Sequence, residues 1–588
     1  MFNKSLPLMC ILILILVFCT TSFAAKINKI SIEEAQKREK IPDEFNYPRL
    51  DIPGIPYTGG DVTSPGVLLG TTWYDYQVNG STGNRIAGHE CGVHICWMNM
   101  VEQLGTRQIY YNFIDDTGTP AFGDVGTPVS SGTRDGYTTM DVDSEGKALI
   151  AYHDALNEAT YQCKVAVDAG CGFNLFTTFD IPSVYPGQGR FIWPYIAYDY
   201  QGRYQVTNSE WMATGGDPMS VGHSYSSDQG ANWSDLQLYD DEEIMCISGM
   251  ISASHVDDKV VIVYTKPIDD GGEPTQYNND VIYVESEDGS TWDYGNAVNI
   301  TNYIYEDTIR AYTDVDAIYD YDGDLHIIWN APGYFAEDGT ITVDACFLYH
   351  WSEATGITMI YDAWFPSFPG AWNRSASKMS IAAGANGILY ALWTHFSDED
   401  VSAGGFSNGE LYLSISYDDG ETWDEPVNLT NSGTPDCLSG ECESDHWSSL
   451  AESVDDELHI TYVEDKDAGG IVQTEGVWTE NPIRYLSYPA ITSVEDDAAV
   501  PSVFQLNQNF PNPFNASTVI SFELKEAVEL KLDIFNVLGE KMATLAEGNF
   551  RRGEHTVSWD ASKYASGIYF YKLSAGEISE TKRMVMLK

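Results

Sequence analysis

Basic side chains are scarce in this chain. Its 588 residues include 31 Lys and Arg against 87 Asp and Glu, which gives a formal net charge of −56 at pH 7. Such an excess of negative charge repels nucleic acid and anionic membranes, so neither is expected as a partner. A solvated surface suited to salty or calcium-rich surroundings accounts for acidic side chains at this density.

Long apolar runs are absent after the first 25 residues, so we expect no transmembrane segment there. Lys4 precedes one apolar stretch from Met9 to Phe18, and small residues follow as far as Ala25. This order predicts a secretory signal peptide over residues 1–25, which is too short to span a bilayer. Phe18 is too bulky for the small residue expected before a lipidated Cys19, so the sequence predicts an exported protein that is not a lipoprotein.

Motifs of the common catalytic classes are also missing. The sequence contains no Gly-rich phosphate loop, no G-x-S-x-G elbow and no H-E-x-x-H motif.

Removal of Cys10 and Cys19 with the signal peptide leaves eight cysteines, and none has the C-x-x-C spacing of a zinc site. An even number in an oxidising compartment predicts disulfides. The candidate pairs are Cys437–Cys442, Cys163–Cys171, Cys91–Cys96 and Cys246–Cys346.

Charge is distributed unevenly along the chain. The segment from Val503 to Lys588 holds ten basic and ten acidic residues, so the whole net charge lies before it. A short acidic stretch over residues 494–502, which contains Pro501, separates the two parts and is typical of a linker. The composition therefore predicts two bodies.

The first body contains one unit that recurs seven times, in which an apolar strand, a turn and a second strand follow one another. The second strands are Gly92–Trp97, Gly146–Tyr152, Gly202–Val206, Asp258–Tyr264, Gly323–Trp329, Gly387–Trp393 and Glu457–Tyr462. Their spacing is about 55 residues in the first copies and about 65 to 70 later, a period typical of propeller blades. We predict an all-β fold with seven blades; six would result if one terminal copy were an accessory hairpin. Before the repeats, Ser31 and Glu34 resemble a capping box that opens a short helix.

A Ser-x-Asp-x-Gly-x-x-Trp string follows three of the predicted strands. The intact copies are Ser226, Asp228, Gly230 and Trp233, then Ser416, Asp418, Gly420 and Trp423, and the altered copy is Glu285, Glu287, Gly289 and Trp292. Gly permits the positive φ of a tight turn, Asp accepts backbone N–H groups, and Trp buries its ring. The string resembles the Asp box, or BNR repeat, of extracellular β-propellers. No residue in the string needs to touch a substrate, so it predicts architecture.

The last 86 residues contain short alternating strands between turn signals, which predict a small antiparallel Ig-like sandwich. Their landmarks are the N-P-F-N element within Asn509–Asn515, the Leu-Gly pair ending at Gly539, and Gly567–Lys572. These elements, in this order, resemble the type A C-terminal sorting domain of the type IX secretion system. The resemblance implies that this domain directs export across the outer membrane and that the secretion machinery is its partner. An ordinary Ig-like adhesion module is the alternative.

Asp-box propellers include sialidases, so arginine placement is informative. Arg85, Arg134, Arg190, Arg310 and Arg374 each lie at or just before the first strand of a repeat. They would meet at one mouth of the propeller, where guanidinium groups grip a carboxylate bidentately. The alternative is that each pairs with a nearby carboxylate, such as Asp135 or Asp314. The sialidase F/Y-R-I-P element appears only as Asn84–Ala87, without the aromatic residue and the proline, and no Tyr–Glu nucleophile pair can be assigned.

A calcium site is the remaining candidate. Asp320, Asp322 and Asp324 place three carboxylates at alternate positions around a glycine, although an ordinary turn uses the same residues. His94, His326 and His459 occupy similar repeat positions, which favours packing over zinc ligation. No cofactor other than Ca²⁺ is suggested.

The sequence thus predicts the following organisation: a signal peptide at 1–25, an N-terminal helix and Pro/Gly-rich lead-in at 26–70, a propeller at 71–493, a linker at 494–502 and a sorting domain at 503–588. The predicted role is recognition of an extracellular glycan or similar polymer, on the cell surface or after secretion. A sialidase-like glycoside hydrolase is the alternative.

Overall fold

A computed structural model describes the chain in two compact units, divided between Thr492 and Ser493. The described residues are 27–39, 54–57, 64–78, 80, 82–157, 160–187, 189–211, 219–244, 249–268, 275–491, 504–506, 509, 514, 516–524, 527–536, 541–564, 567–575 and 578–586. The predicted signal peptide, the linker at 494–502 and Cys246 lie outside these ranges. None of the helices in the described part of the chain has the length and hydropathy of a membrane span.

The N-terminal elements precede the repeats. Strand β1 (Lys29–Ser31) leads into helix α1 (Ile32–Arg38), and β2 (Val67–Thr72) follows. The Ser31 hydroxyl accepts the Glu34 backbone N–H at 3.2 Å, which confirms Ser31 as the helix N-cap.

The first four blades follow in chain order. Blade 1 comprises β3–β6, at Ile86–His89, Gly92–Met100, Arg107–Ile114 and Thr127–Pro128. Blade 2 comprises β7–β10, at Gly136–Val142, Ala148–Asn157, Thr160–Asp168 and Phe176–Asp180. Blade 3 comprises β11–β14, at Arg190–Tyr198, Tyr204–Trp211, Met219–Ser226 and Gln237–Ile244. Blade 4 comprises β15–β18, at Met250–Ala253, Val260–Pro267, Asn279–Ser286 and Val298–Asn299.

Three further blades complete the ring. Blade 5 comprises β19–β22, at Val315–Tyr319, Leu325–Phe335, Thr340–Ser352 and Gly356–Ala363. Blade 6 comprises β23–β26, at Ala376–Ala383, Leu389–Val401, Ser407–Ser416 and Val427–Asn428. Blade 7 takes β27–β29, at Ser444–Leu450, Glu457–Asp465 and Asn481–Pro489. Short 3-10 turns occur at Tyr294–Asn296 and Ile471–Gln473.

The ring closes through an N-terminal strand. Blade 7 contains only three strands from the end of the repeats, and β2 pairs antiparallel with β29 as its fourth strand. Successive innermost strands contact one another from β3 to β27, and β28 contacts β3 to complete the circle. The fold is therefore a β-propeller with seven blades, as the seven repeats predict. Its closing strand begins at Val67, four positions before residue 71, where the propeller was predicted to begin.

The second strand of each blade is apolar because both faces of a blade are covered by neighbouring blades. In β16 every side chain from Val260 to Tyr264 is buried, without the alternation of a half-exposed strand. Four innermost strands share a further irregularity, a β-bulge that places a large side chain at positive φ. These side chains are Tyr137 (φ 20°), Trp193 (54°), Lys378 (54°) and Trp447 (53°). Backbone strain of this kind costs about 1–3 kcal/mol per residue and clusters at functional sites.

The C-terminal unit consists of two antiparallel sheets around one core. One sheet contains β30 (Phe504–Leu506), β31 (Ser517–Leu524) and β34 (Gly553–Asp560). The other contains β32 (Val528–Asn536), β33 (Lys541–Phe550), β35 (Gly567–Ala575) and β36 (Ile578–Met586). The Tyr571 hydroxyl accepts the Asn509 backbone N–H at 2.9 Å, so two of the sequence landmarks are in contact.

Candidate functional site

Arg310 is enclosed by oxygen atoms of its own surroundings. Its Nη2 donates to the carbonyls of Ile304 at 2.7 Å and Tyr305 at 3.0 Å, and its Nε donates to the carbonyl of Asp307 at 3.1 Å. The Nη1 atom donates to Asn278. All three guanidinium nitrogens of Arg310 therefore donate hydrogen bonds to the protein. This arrangement indicates a structural role.

The other predicted arginines have different surroundings. Arg85 is buried and donates to the carbonyl of Trp447, and burial lowers the pKa of Arg85 to about 10. Arg134 and Arg190 are half-buried at the beginning of blades 2 and 3. Arg310, Arg85 and Arg374 have three separate sets of partners, so these three do not share one carboxylate. Asp314, one of the carboxylates named for the alternative of local pairing, lies 2.9 Å from the Lys378 ammonium.

Arg374 contacts a buried carboxylate. Its Nη1 lies 2.9 Å from Oε1 of Glu39, and both side chains are buried. The Tyr312 hydroxyl donates to Oε2 of Glu39 at 2.8 Å, and Tyr277 stacks parallel to Tyr312 with ring centroids 5.9 Å apart. The guanidinium carbon of Arg374 lies 4.1 Å from the centre of the Tyr312 ring. We call Arg374, Tyr312 and Tyr277 the carboxylate pocket.

Electrostatic interactions keep both Glu39 and Arg374 charged. Burial alone would raise the pKa of Glu39, but Arg374 and the two tyrosine hydroxyls outweigh burial and lower it. Burial opposes the charge on Arg374, but the contact with Glu39 outweighs it, so the net effect raises the pKa of Arg374. Glu39 follows α1 directly, so a residue from outside the ring supplies the charge that balances Arg374.

An open groove of about 470 Å³ lies between the outer strand of blade 5 and blade 6. One wall is aromatic: the rings of His395 and Tyr412 stack with centroids 4.1 Å apart, and Phe365 lies 5.2 Å from His395. Tyr361 extends this wall, 6.0 Å from His395. We call this feature the aromatic groove.

Carboxylates also line the aromatic groove. Glu410 accepts the backbone N–H of Gly433 at 2.9 Å, and Asp400 accepts the side chain of Asn408 at 2.8 Å. Burial, together with the nearby Asp400, raises the pKa of Glu410. Asp398 and Glu399 complete the rim and are exposed.

A second groove of about 400 Å³ lies between blades 4 and 5. The rings of Tyr283 and Trp351 are 5.5 Å apart there, and Glu285, Glu287 and Glu353 surround them. Unlike the aromatic groove, it also contains a cation, Lys259.

The strings that resemble the Asp box lie on the turns after the third strands of blades 3, 4 and 6, away from the innermost strands. In blade 6 the Ser416 hydroxyl accepts the Gly420 N–H at 2.8 Å, and Asp418 accepts the Thr422 N–H at 2.8 Å. The same hydrogen bonds form in blade 3 at Ser226, Asp228 and Gly230. There the indole of Trp233 also donates to the Gly230 carbonyl at 3.0 Å. In blade 6, Trp423 packs against His350.

The third string differs from its predicted alignment. Asp288, and not Glu287, accepts the backbone N–H groups of Ser290 at 2.8 Å and Thr291 at 2.6 Å. Ser286, and not Glu285, takes the serine position, because this turn is one residue shorter before Gly289; Trp292 keeps the tryptophan position.

The predicted calcium ligands serve a turn between β19 and β20. The Asp320 carboxylate accepts the backbone N–H groups of Asp322 at 3.0 Å and Asp324 at 2.8 Å. Over the described ranges, the only gathered set of three metal-ligand side chains is His89, Cys91 and Cys171. The three aspartates therefore do not converge. His326 and His350 contact each other at 2.9 Å, and His94 and His459 contact tyrosine hydroxyls, at Tyr111 and Tyr485.

Three of the four predicted disulfides are wrong. Cys437 pairs with Cys442 as the spacing predicts, but Cys91 pairs with Cys171. Cys96, Cys163 and Cys346 are buried free thiols within strands. Cys91 and Cys171 lie on turns of blades 1 and 2 that the ring brings together, a proximity that sequence spacing does not reveal.

Comparison with known families identifies the C-terminal unit. Residues 508–587 match the model of the secretion system C-terminal sorting domain. The protein therefore carries a type IX sorting domain and is exported to the cell surface or the extracellular space. No curated protein sequence matches the chain.

Solved structures that resemble the chain include polysaccharide lyases and an α-L-arabinanase. An ulvan lyase from a new polysaccharide lyase family is 12% identical, with a TM-score of 0.40, over 69% of this chain and 99% of its own. The polysaccharide lyase Uly1 is 11% identical, with a TM-score of 0.41, over 78% of this chain and 99% of its own. An α-L-arabinanase of Penicillium chrysogenum in complex with arabinobiose is 12% identical, with a TM-score of 0.36, over 59% of this chain and 91% of its own.

Sequence reasoning missed both the aromatic groove and the carboxylate pocket. The groove joins side chains from β22, β24 and β25 and from the segment after β22, and the pocket joins Glu39 to Arg374, 335 positions apart. No local spacing marks either one. The sequence singled out only one member of the two sites, Arg374, because it lies at the beginning of a repeat.

Proposed function

We propose that this exported propeller recognises a neutral extracellular glycan in the aromatic groove. The observation that carries the proposal is the pairing of an aromatic wall with a carboxylate wall in one open groove. A sugar ring has apolar C–H faces and a rim of hydroxyl donors. Aromatic faces suit the first, and carboxylates accept strong hydrogen bonds from the second.

The charge of the groove favours a neutral ligand over an acidic one. Asp398, Glu399, Asp400 and Glu410 line it, and no basic side chain does among the described lining residues. A uronate or sialate entering this groove would meet like charge, which raises its free energy of binding.

His395 supplies a polar atom to the aromatic wall. Burial lowers the pKa of His395 to about 4, so the imidazole is neutral at pH 7. Its Nδ1 is buried and has no hydrogen-bond partner. A buried polar atom without a partner costs free energy, and a ligand hydroxyl that reaches it would remove that cost.

Affinity electrophoresis of the full chain tests this proposal. We expect gels containing neutral polysaccharides to retard the protein and gels containing acidic ones not to do so. Phe365→Ala should weaken retardation about threefold to tenfold, because it removes part of the aromatic wall. Phe173→Ala, at an aromatic side chain that is 70% exposed on blade 2, is the matched control and should have no effect. Retardation by acidic polysaccharides alone would refute the proposal.

Hydrolysis in the same groove is the second candidate function. The observation that favours it is Glu410, whose raised pKa suits a general acid. If the protein is a glycoside hydrolase, Glu410→Gln should retain binding and lose the release of reducing ends. Absence of reducing ends from every bound polysaccharide would exclude this candidate and leave binding as the function.

A further inference from the structure

The carboxylate pocket has the features of a ligand site that is occupied by the chain itself. We propose that Arg374, Tyr312 and Tyr277 bind a carboxylate-bearing ligand, such as a uronate, and that Glu39 closes the pocket as an internal competitor. The pocket shares no residue with the aromatic groove, so this proposal and the proposed function are tested independently.

The first argument is that Arg374 uses only part of its hydrogen-bonding capacity. Its Nη1 serves Glu39 and the carbonyl of Asn373, whereas Nε and Nη2 are buried and have no partner. Nε and Nη2 form the edge of a guanidinium that grips a carboxylate bidentately. Arg310, at the equivalent place before blade 5, has every nitrogen occupied. Arg374 therefore retains binding capacity that a structural arginine does not.

The second argument is the source of the filling carboxylate. Glu39 belongs to a segment before the ring that pairs with blade 5 through three residues of β1. In α1 only Ala35 is fully buried, and the ion pair of Arg38 with Glu475 is 3.7 Å long and partly exposed. Apart from the ion pair of Glu39 with Arg374, which a ligand carboxylate would replace, little buried apolar surface opposes the opening of this segment. Glu39 can therefore leave the pocket without disrupting a blade.

The third argument is preorganisation. The Arg374 guanidinium lies over Tyr312, and Tyr312 stacks on Tyr277, so the donors stay in place when Glu39 leaves. The rest of this body is strongly acidic. These acidic surroundings repel anions at long range, so binding depends on the short-range fit of a carboxylate to the Arg374 guanidinium.

Chemical complementation tests the pocket. Glu39→Ala should lower Tm, and sodium acetate should restore about 2–4 °C along a saturation curve, whereas sodium chloride at equal ionic strength should not. Glu33→Ala, at an exposed carboxylate of α1, is the control and should show no acetate effect. If the Glu39→Ala chain does not fold, acetate should restore the yield on refolding. Equal effects of acetate and chloride would overturn the carboxylate site.

Hydrogen exchange of the unaltered full chain tests displacement. Saturating sodium glucuronate should speed exchange of the backbone amides at 27–39 by about fivefold or more, because it competes with Glu39. Glucose, which lacks the carboxylate, should leave exchange unchanged. If glucuronate fails to speed exchange while acetate rescues Glu39→Ala, the pocket binds carboxylates only when Glu39 is absent, and the role of Glu39 as a displaceable competitor is overturned.

Discussion

Glu39 balances a buried positive charge, so its replacement has a large expected effect on stability. Glu39→Gln removes the charge and nearly preserves the shape, which leaves Arg374 buried without a counter-ion. Loss of one partner of a buried ion pair costs about 3–5 kcal/mol. Denaturant unfolding should show this loss. Glu33→Gln, in the exposed pair with Lys37, should cause no measurable change, and equal effects of the two variants would contradict the account.

Gly420 shows how the Asp-box turn depends on a residue without a side chain. Its φ is +84°, and a Cβ atom there would lie 2.1 Å from the His350 ring. Gly118 also has positive φ, +73°, but open space around it. Gly118→Ala should therefore cost about 1–2 kcal/mol from the backbone alone. Gly420→Ala should cost about 1–3 kcal/mol more because it also overpacks the core, and equal losses in denaturant unfolding would contradict the described turn.

At the scale of elements, two disulfides of different span differ in expected contribution. Cys91–Cys171 joins turns of blades 1 and 2 across 80 positions, whereas Cys437–Cys442 closes a loop of five. Chain-entropy arguments assign about 4.5 kcal/mol to the first and about 2 kcal/mol to the second. The double variant Cys91→Ser/Cys171→Ser should therefore lower Tm more than Cys437→Ser/Cys442→Ser. The reverse order would contradict the pairing across the blades.

Repeated elements were the most predictable part of this molecule. Each predicted second strand is present, because an apolar run between turns needs only local sequence to form a buried strand. The closure of blade 7 by β2 was not predictable, since Val67–Thr72 lies far in sequence from β29 and carries no repeat signal. The aromatic groove was hidden for the same reason. Its wall needs Phe365 and Tyr412 to contact the same residue, His395, and both are common residues in any strand-rich chain.

For the whole molecule, buried carboxyl groups contribute to the pH dependence of stability above neutral pH. Burial raises the pKa of Asp75 to about 7, of Asp316 to about 8 and of Asp445 to about 8. Their folded pKa values lie above the unfolded value of about 3.9, so the folded state binds more protons, and their contribution to stability falls as pH rises from about 4 to 8. Burial lowers the pKa of His223 and His350 to about 3, so these histidines act in the opposite direction as pH falls through about 6.5. Calorimetry should therefore give a higher Tm near pH 7 than near pH 8.5.

This pH effect is separable from surface repulsion. High salt screens the exposed negative charge but does not protonate buried groups, so the rise in Tm on acidification should persist at high ionic strength. A Tm that increases towards pH 8.5 would contradict the assignment of raised pKa values.

The central claim is that the aromatic groove between blades 5 and 6 binds a neutral glycan, and isothermal titration of the full chain tests it most directly. The ligand is a neutral oligosaccharide of the kind that retards the protein in gels. The account predicts about tenfold weaker binding for Phe365→Ala, a loss of about 1.4 kcal/mol, and unchanged binding for Tyr283→Ala in the second groove. Unchanged binding by Phe365→Ala together with loss of binding by Tyr283→Ala would contradict it.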